Sequence, residues 1–447
     1  MIPIVTPDEM AAVDAAAPEP VEVLIDRAGA ALAWHVRALL GGTYGRRIVV
    51  VAGPGNNGAD GRVAARRLAR WGACVTVIDG TDAPEALPAA DLVVDAAFGT
   101  GLSRPYTPPA TDAPVLAVDI VSGVSGLTGE RLGAPQAAIA TVTFQALKPG
   151  LVFGVGAELS GDIAVVDLGL DVSGARAHLV EPADVAAWWP RRAADSHKWK
   201  SACWIIAGSE SMTGAATLAA SAAARAGSGY VRLSVPGVDG VGPIETVAHP
   251  LPQKGWGGML DGIERFGSLV IGPGLGRSPW AASCVREVLR NSPIPAVVDG
   301  DGLNAVAGDL GSLSECVTMP VLTPHDGEFE TLAGRRPGAD RLAAARDLAA
   351  EAGAVILLKG PATVVAHPDG DVLVSTSGDQ RLATAGSGDV LSGIIGALLA
   401  QGLDPFRAAA AGAWVHGRAA ECAPRHGMVA SDLLTTLPEV LDATHLG

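Results

Sequence analysis

The stretch Ala385-Gly386-Ser387-Gly388-Asp389 runs directly into the apolar run Val390-Leu391-Ser392-Gly393-Ile394-Ile395-Gly396. A helix opening here leaves backbone N–H groups unpaired, and together with the helix dipole they bind an anion. Glycine lets the backbone approach a phosphate with no Cβ in the way. A carboxylate at Asp389 would repel a resting phosphate. It suits a base that takes the proton of a substrate hydroxyl as a phosphoryl group transfers to it. The same residues also spell a plain glycine turn with an acidic helix start, and the motif alone leaves both readings open.

A second constellation lies in the first half. Arg47-Ile48-Val49-Val50-Val51-Ala52 reads as a buried parallel strand. It runs into a loop, Gly53-Pro54-Gly55-Asn56-Asn57-Gly58-Ala59-Asp60-Gly61, with a helix expected from Arg62 to Trp71 and a strand over Cys74–Asp79. Gly53, Gly55, Gly58 and Asp79 match the dinucleotide fingerprint, so a Rossmann dehydrogenase is a rival reading. Asn56, Asn57 and Asp60, however, place side-chain oxygens where a pyrophosphate cradle needs bare N–H groups, and hard oxygens suggest a cation or a polar ligand edge. Further strands end at Asp95 and at Asp119, the latter followed by Ser122. Each residue alone could cap a helix or close a turn. At successive strand ends of a doubly wound sheet they would converge on one crevice.

The second half repeats the layout. Strands end in Gly208-Ser209, Gly272-Pro273-Gly274-Leu275-Gly276, Asp299-Gly300-Asp301, Thr323-Pro324-His325 with Glu328, and Lys359-Gly360-Pro361-Ala362-Thr363. Lys359 beside Gly360 and Thr363 suggests a nucleotide phosphate loop, and His325 just after a strand suggests a ligand contact. Asp299, Asp301 and Asn304 could hold a metal-bound phosphate or cap the next helix.

The elements that must position these residues are alternating strands and helices, which predicts an α/β protein. With 447 residues, 49% of them hydrophobic and 18% charged, two or three globular domains with sizeable cores are expected. A net charge of −15 argues against nucleic-acid and anionic-membrane partners but not against a small anion held by local dipoles. The five cysteines are widely spaced with no Cys-x-x-Cys pair, as in reduced cytosolic protein. Neither a signal peptide nor a transmembrane segment is read, so a cytoplasmic location is expected.

Asn56 to Gly61, Asp95 to Leu102 and Val118-Asp119-Ile120-Val121-Ser122-Gly123 together resemble the NAD(P)H-hydrate epimerase domain, over roughly the first 170 residues. The resemblance implies a Rossmann-like three-layer domain over residues 1–175 and a potassium ion on Asn57, Asp95 and Ser122. It also implies substrate contacts at Asn56, Asn57, Gly58, Ala59 and Asp60, at Gly99, Thr100, Gly101, Leu102, Ser103, Arg104 and Pro105, and at Asp119, the expected acid/base. Ala59 and Val121 stand where the family usually has glycine and proline.

Gly208-Ser209 with Met212 to Ala215, Gly272 to Gly276, Thr323 to Glu328, Lys359 to Thr363 and Ala385 to Asp389 occur in the order of the NAD(P)H-hydrate dehydratases of the ribokinase-like superfamily, which this half resembles. That resemblance implies a three-layer α/β/α domain over residues 180–447 and magnesium with ADP as phosphoryl donor. Nucleotide contacts are implied at Lys359, Gly360, Pro361, Ala362, Thr363, Gly386, Ser387 and Gly388. Hydrate contacts are implied at Ala215, Gly274, Gly276, His325 and Asp389, with Asp389 catalytic. The family's His-Lys-Gly motif stands here as His197-Lys198-Trp199. Together the halves imply a bifunctional repair enzyme for hydrated NADH and NADPH, expected as a homo-oligomer. The alternative is a ribokinase-like vitamin or hydroxymethylpyrimidine kinase fused to a non-catalytic Rossmann-like binding domain.

Overall fold

The protein is described by a computed structural model covering residues 1–445. It divides into two compact units, residues 2–177 and the chain from His178 onward with Met1.

The first unit is built on six parallel strands, in the order Cys74–Asp79, Arg47–Ala52, Leu92–Ala96, Val115–Val118, Ala140–Phe144 and Asp162–Val166. Arg47–Ala52 is buried along all but its first residue, which its Val/Ile content predicts for a strand covered on both faces. The chain leaves this strand to one side, then returns to pair Leu92–Ala96 on the other. That reversal opens a crevice beyond Ala52 and Ala96. The helices Val21–Leu39 and Asn56–Arg70 pack one face with Leu32, Val36, Ala64 and Leu68, each fully buried. They approach so closely that a Cβ on Gly29 would lie 2.4 Å from the Cβ of Val63.

One local expectation is corrected. The helix expected from Arg62 begins at Asn56, with extended Gly55 as its cap, so Asn56, Asn57 and Asp60 lie in the first turns of a helix and not in a loop. Close packing forces the early start. A Cβ on Gly53 would sit 1.7 Å from the Ala97 carbonyl oxygen, and one on Gly58 would sit 1.9 Å from that of Gly53. The strand can therefore turn into the helix within three residues.

The second unit carries parallel strands in the order Thr246–Ala248, Tyr230–Ser234, Ala202–Ile206, Ser268–Ile271, Ala296–Val298, Val321–Leu322 and Val355–Leu358. Thr363–Ala366 and Val372–Ser375 then extend the sheet as the hairpin expected from sequence, with Val364 opposite Val374. Here the reversal falls between Ala202–Ile206 and Ser268–Ile271. Helix Ser387–Ala400 is buried along nearly its whole length, and Thr213–Arg225 packs on it through small side chains. A Cβ on Gly393 would meet the Ala219 carbonyl oxygen at 2.2 Å. Among the described residues no helix is long and apolar enough to cross a membrane.

Candidate active sites

In the first unit a cleft of about 500 Å³ opens at the strand reversal. Asn56, Asn57, Asp60, the Gly99–Leu102 turn and Asp119 line it. Ser103, Arg104 and Pro105 lie outside its lining, and the Arg104 guanidinium sits over the Phe98 ring. Asp119 follows the strand Val115–Val118 in a left-handed conformation, φ 67°. Such a backbone costs an L-residue roughly 1–2 kcal/mol, a strain typical of sites where one side chain must be aimed. Asp119 is aimed at Lys148, whose ammonium lies 2.7 Å from Oδ1. Thr143 Oγ1 donates to the same oxygen at 3.2 Å, and Lys148 donates to Thr143 Oγ1 and the Phe144 carbonyl. Lys148 is 2% exposed.

Asp14, Glu19 and Asp60 are the cleft's other carboxylates. Burial pushes Asp60 up to about 8, reinforced by the charges of Asp119 and Asp14, so it holds its proton at neutral pH. Asp14 is raised by burial against the opposing pull of Lys148. Sequence reasoning missed Lys148, Thr143 and Asp14. The available signal was that Lys148 is one of only five lysines and directly precedes Pro149-Gly150 at a short helix.

Beside the cleft, Asp95 is buried and accepts from Ser122 Oγ at 2.7 Å, Ser122 N at 3.0 Å and Ala97 N at 3.2 Å. Burial raises its pKa, and the Ser122 hydrogen bonds offset part of that. Both polar side-chain atoms of Asn57 are buried with no hydrogen-bond partner. Asp79, the acid of the dinucleotide fingerprint, is turned onto Thr81, accepting from its N and Oγ1.

In the second unit the acid of the glycine motif sits in the first turn of helix Ser387–Ala400, capped by left-handed Gly386 at φ 91°. Burial and the neighbouring charges of Asp299 and Glu328 push Asp389 up to about 7, while Lys359 pulls it down. Asp299 is the buried centre of this site. Its Oδ1 receives Lys359 Nζ at 2.8 Å and Thr323 Oγ1 at 2.7 Å, and its Oδ2 receives Ser392 Oγ at 2.7 Å. Those partners outweigh burial and hold its carboxyl below the usual range. A Cβ on Gly388 would stand 3.3 Å from Lys359 Nζ, so the glycine keeps the lysine against the helix start. Pro361, Ala362 and Thr363 follow Lys359 and Gly360 into the hairpin, and Arg341 fixes the turn by donating to the Lys359 carbonyl at 2.7 Å.

His325 is the cap of helix Asp326–Ala333. Its Nδ1 accepts from Gly327 N and Glu328 N, which places any ring proton of the neutral form on Nε2. Ala215 and Gly274 touch: a Cβ on Gly274 would lie 3.0 Å from that of Ala215. Gly276 N donates to Asp301 Oδ2 at 2.9 Å, which braces this loop, whereas Asn304 Nδ2 bonds back to the Gly300 carbonyl within its own turn. Sequence reasoning missed Ser392 and the buried His416, which burial pushes down to about 4 and which bonds the Ser387 backbone. Both hide in runs of small apolar residues. Among the described residues no group of three His, Cys, Asp or Glu side chains could hold a metal ion.

A polar cleft at the sheet reversal of the first unit, and in the second a Lys359–Asp299 pair beside the helix start that carries Asp389, describe a two-unit α/β enzyme. A profile described as NAD(P)H-hydrate dehydratase matches residues 203–442, and one described as YjeF-related protein N-terminus matches residues 21–86 and 78–150. The chain is 39% identical over 98% of its length to the bifunctional NAD(P)H-hydrate repair enzyme of Moorella thermoacetica, covering 96% of that protein. It is 35% identical to the enzyme of the same description from Salinibacter ruber, with 98% and 96% covered. A ribokinase-like superfamily protein from Enterococcus faecalis superposes with a TM-score of 0.53 over 61% of this chain and 97% of that one, at 21% identity, which shows a shared fold. The chain belongs to the bifunctional NAD(P)H-hydrate repair enzymes, not to the vitamin kinases.

Proposed function

We propose that the chain returns hydrated NADH and NADPH to the intact coenzymes, with the first unit interconverting the R and S hydrates and the second dehydrating the S hydrate at the expense of ADP. The observation that carries this reading is Asp389, a half-buried carboxylate poised near neutrality at a helix start beside the Lys359–Asp299 pair. Asp389 takes the proton of the hydrate hydroxyl, whose oxygen bonds the terminal phosphorus of ADP as AMP leaves. Loss of phosphate then breaks the C–O bond while the neighbouring carbon gives up a proton, and the ring double bond returns. Phosphorylation matters because hydroxide is a poor leaving group. The N–H groups of Gly386 and Gly388 and the Lys359 ammonium stabilise charge on the group in transfer. Lys359 to Thr363 hold the nucleotide, and Ala215, Gly274, Gly276 and His325 hold the hydrate. Magnesium would arrive on the nucleotide phosphates and supply charge neutralisation there.

In the first unit Asp119 is the acid/base, Lys148 at 2.7 Å keeps it aimed, and Asp60, protonated at neutral pH, can donate. Asn56, Asn57 and Asp60 with Gly99 to Leu102 bind the hydrate in the cleft, and Ser103 to Pro105 border it. The unpartnered Asn57 amide, buried Asp95 and Ser122 offer neutral and anionic oxygens without nitrogen or sulfur, a set that fits potassium. The ion would supply fixed positive charge beside the cleft.

A mixture of R and S hydrates with ADP and magnesium tests the reading through recovery of the reduced-nicotinamide absorbance. Full recovery is expected. Recovery that halts once the S hydrate is gone would remove the epimerase assignment, and no recovery would remove both. Asp119→Asn is expected to reproduce the halted trace, with R turnover slowed about a hundredfold or more.

A further inference from the structure

The strand Cys74–Asp79 ends the first unit's sheet, pairing with Arg47–Ala52 on one side and with no strand on the other among the described residues. Cys74 N donates to the Arg46 carbonyl and Gly80 N to that of Ala52, so alternate residues between them turn their backbone groups inward. Val75 and Val77 therefore turn their N–H and carbonyl groups away from the sheet. An open edge of this kind is a template for another strand, and natural proteins blunt it with lysine, proline or a bulge. Cys74-Val75-Thr76-Val77-Ile78 carries no charge and no proline, pairs with its neighbour in unbroken register, and leaves Val77 47% exposed.

The two ends of this strand differ in charge. Beside its start lies an open cleft of about 570 Å³ walled by Arg37, Thr43, Tyr44, Arg46 and Trp71. Tyr44 lies over Gly72, where a Cβ would come 2.7 Å from its ring, and Gly45 N donates to the Gly72 carbonyl, which ties the cleft to the strand's entry. Tyr44 is exposed, and so is Trp34, which packs on Trp71 with ring centroids 5.0 Å apart. Arg37 and Arg46 form no ion pair among the described residues. Arg37 stacks on Trp34, Arg46 donates to the Leu40 carbonyl, and the nearby Asp91 is taken by Arg47. At the strand's other end the chain turns through exposed Asp79, Asp82 and Glu85. A strand that is basic and aromatic at its start and acidic at its end is complementary to itself when two copies run antiparallel about a twofold axis, as an isologous contact requires.

We infer that two copies of this chain join antiparallel along Cys74–Asp79, continuing their sheets into one, with the Asp82 end of each copy set against the Arg46 cleft of the other. Val75 and Val77 exchange backbone hydrogen bonds across an axis near Thr76. The contact uses none of the residues assigned to either reaction.

Sedimentation equilibrium of the intact protein tests this. Val77→Pro removes an outward N–H while sparing the bonds to Arg47–Ala52, and Val77→Lys keeps the backbone but adds a charge of the kind that blunts edges. The native protein is expected to associate in pairs. Each variant, with the circular dichroism of the native fold, is expected to raise the dissociation constant of the pair about tenfold or more, since every bond lost is lost twice across the axis. Arg46→Glu and Asp82→Arg should each weaken the pair alone, and an equal mixture of the two should restore it, because antiparallel copies bring the exchanged charges back into opposition. A mixture no tighter than its components would overturn the antiparallel arrangement. Native protein that stays monomeric would overturn the inference, whether or not an added acidic peptide occupies the edge. So would Val77→Lys and both charge variants associating like the native protein, which would assign assembly to another surface.

Discussion

Asp389→Asn abolishes regeneration of NADH from the S hydrate, lowering kcat by about a hundred- to ten-thousandfold, the range of a positioned general base. Asparagine keeps the shape but cannot take a proton. Interconversion of R and S is expected to continue, because Asp119 and Lys148 belong to the other unit. A parallel loss of both activities would show a folding defect instead. In the native enzyme the base must be ionised, and burial sets it at about 7. The rate for the S hydrate should therefore fall as pH drops below neutrality. Stability moves the opposite way. The folded protein raises this carboxyl above its ordinary 3.8, so the folded state gains relative stability at low pH and loses it as pH rises through about 7. Asp389→Asn should accordingly melt above the native protein in alkaline buffer, with the gap closing in acid. An enzyme that melts identically with and without the substitution across this window would contradict a raised carboxyl.

Lys148→Met is the second large effect. The lysine is 2% exposed and touches Asp119 Oδ1, Thr143 Oγ1 and the Phe144 carbonyl, so no water replaces it when it is removed. Breaking one side of a buried pair costs about 3–5 kcal/mol, because the remaining charge keeps its desolvation without its partner. Methionine retains the stem's packing, which confines the loss to the charge. Epimerisation should fall about a hundredfold or more, and the first unit should melt earlier in calorimetry. Dehydration of pure S hydrate serves as the internal control. The idea fails if the variant epimerises normally, since Asp119 would then not need its cation.

The alternation of strand and helix and the polar residues at the strand ends were legible in the sequence, because they rest on period and on glycine placement. The alternation of Val-rich runs and small-residue helices announced two parallel sheets. Asp119 and Asp389 could be singled out because each ends a legible element. What stayed hidden depends on distance in the chain. Lys148 lies 29 residues from Asp119, and nothing local in Ala146-Leu147-Lys148-Pro149 says that its ammonium crosses to a neighbouring strand's end. Ser392 reads as one small residue in an apolar helix, yet it holds Asp299 from the helix side. The helix start at Asn56 was misplaced for a related reason. Glycines signal a loop to the eye, whereas Gly58 serves here to let a helix lie against the Gly53 carbonyl.

Helix Ser387–Ala400 has a consequence for how this enzyme tolerates change. Two of its glycines are contact surfaces: Gly393 rests on the Ala219 carbonyl, and Gly396 would place a Cβ 2.4 Å from Val270. Adding one methyl group at either position must push the rod outward, and a rod carries the displacement to its tip. The tip holds the proton acceptor. Positions a full turn or more below the chemistry, touching no substrate, thus set its alignment to fractions of an ångström, and drift at these silent sites would appear as lost turnover before it appeared as lost fold.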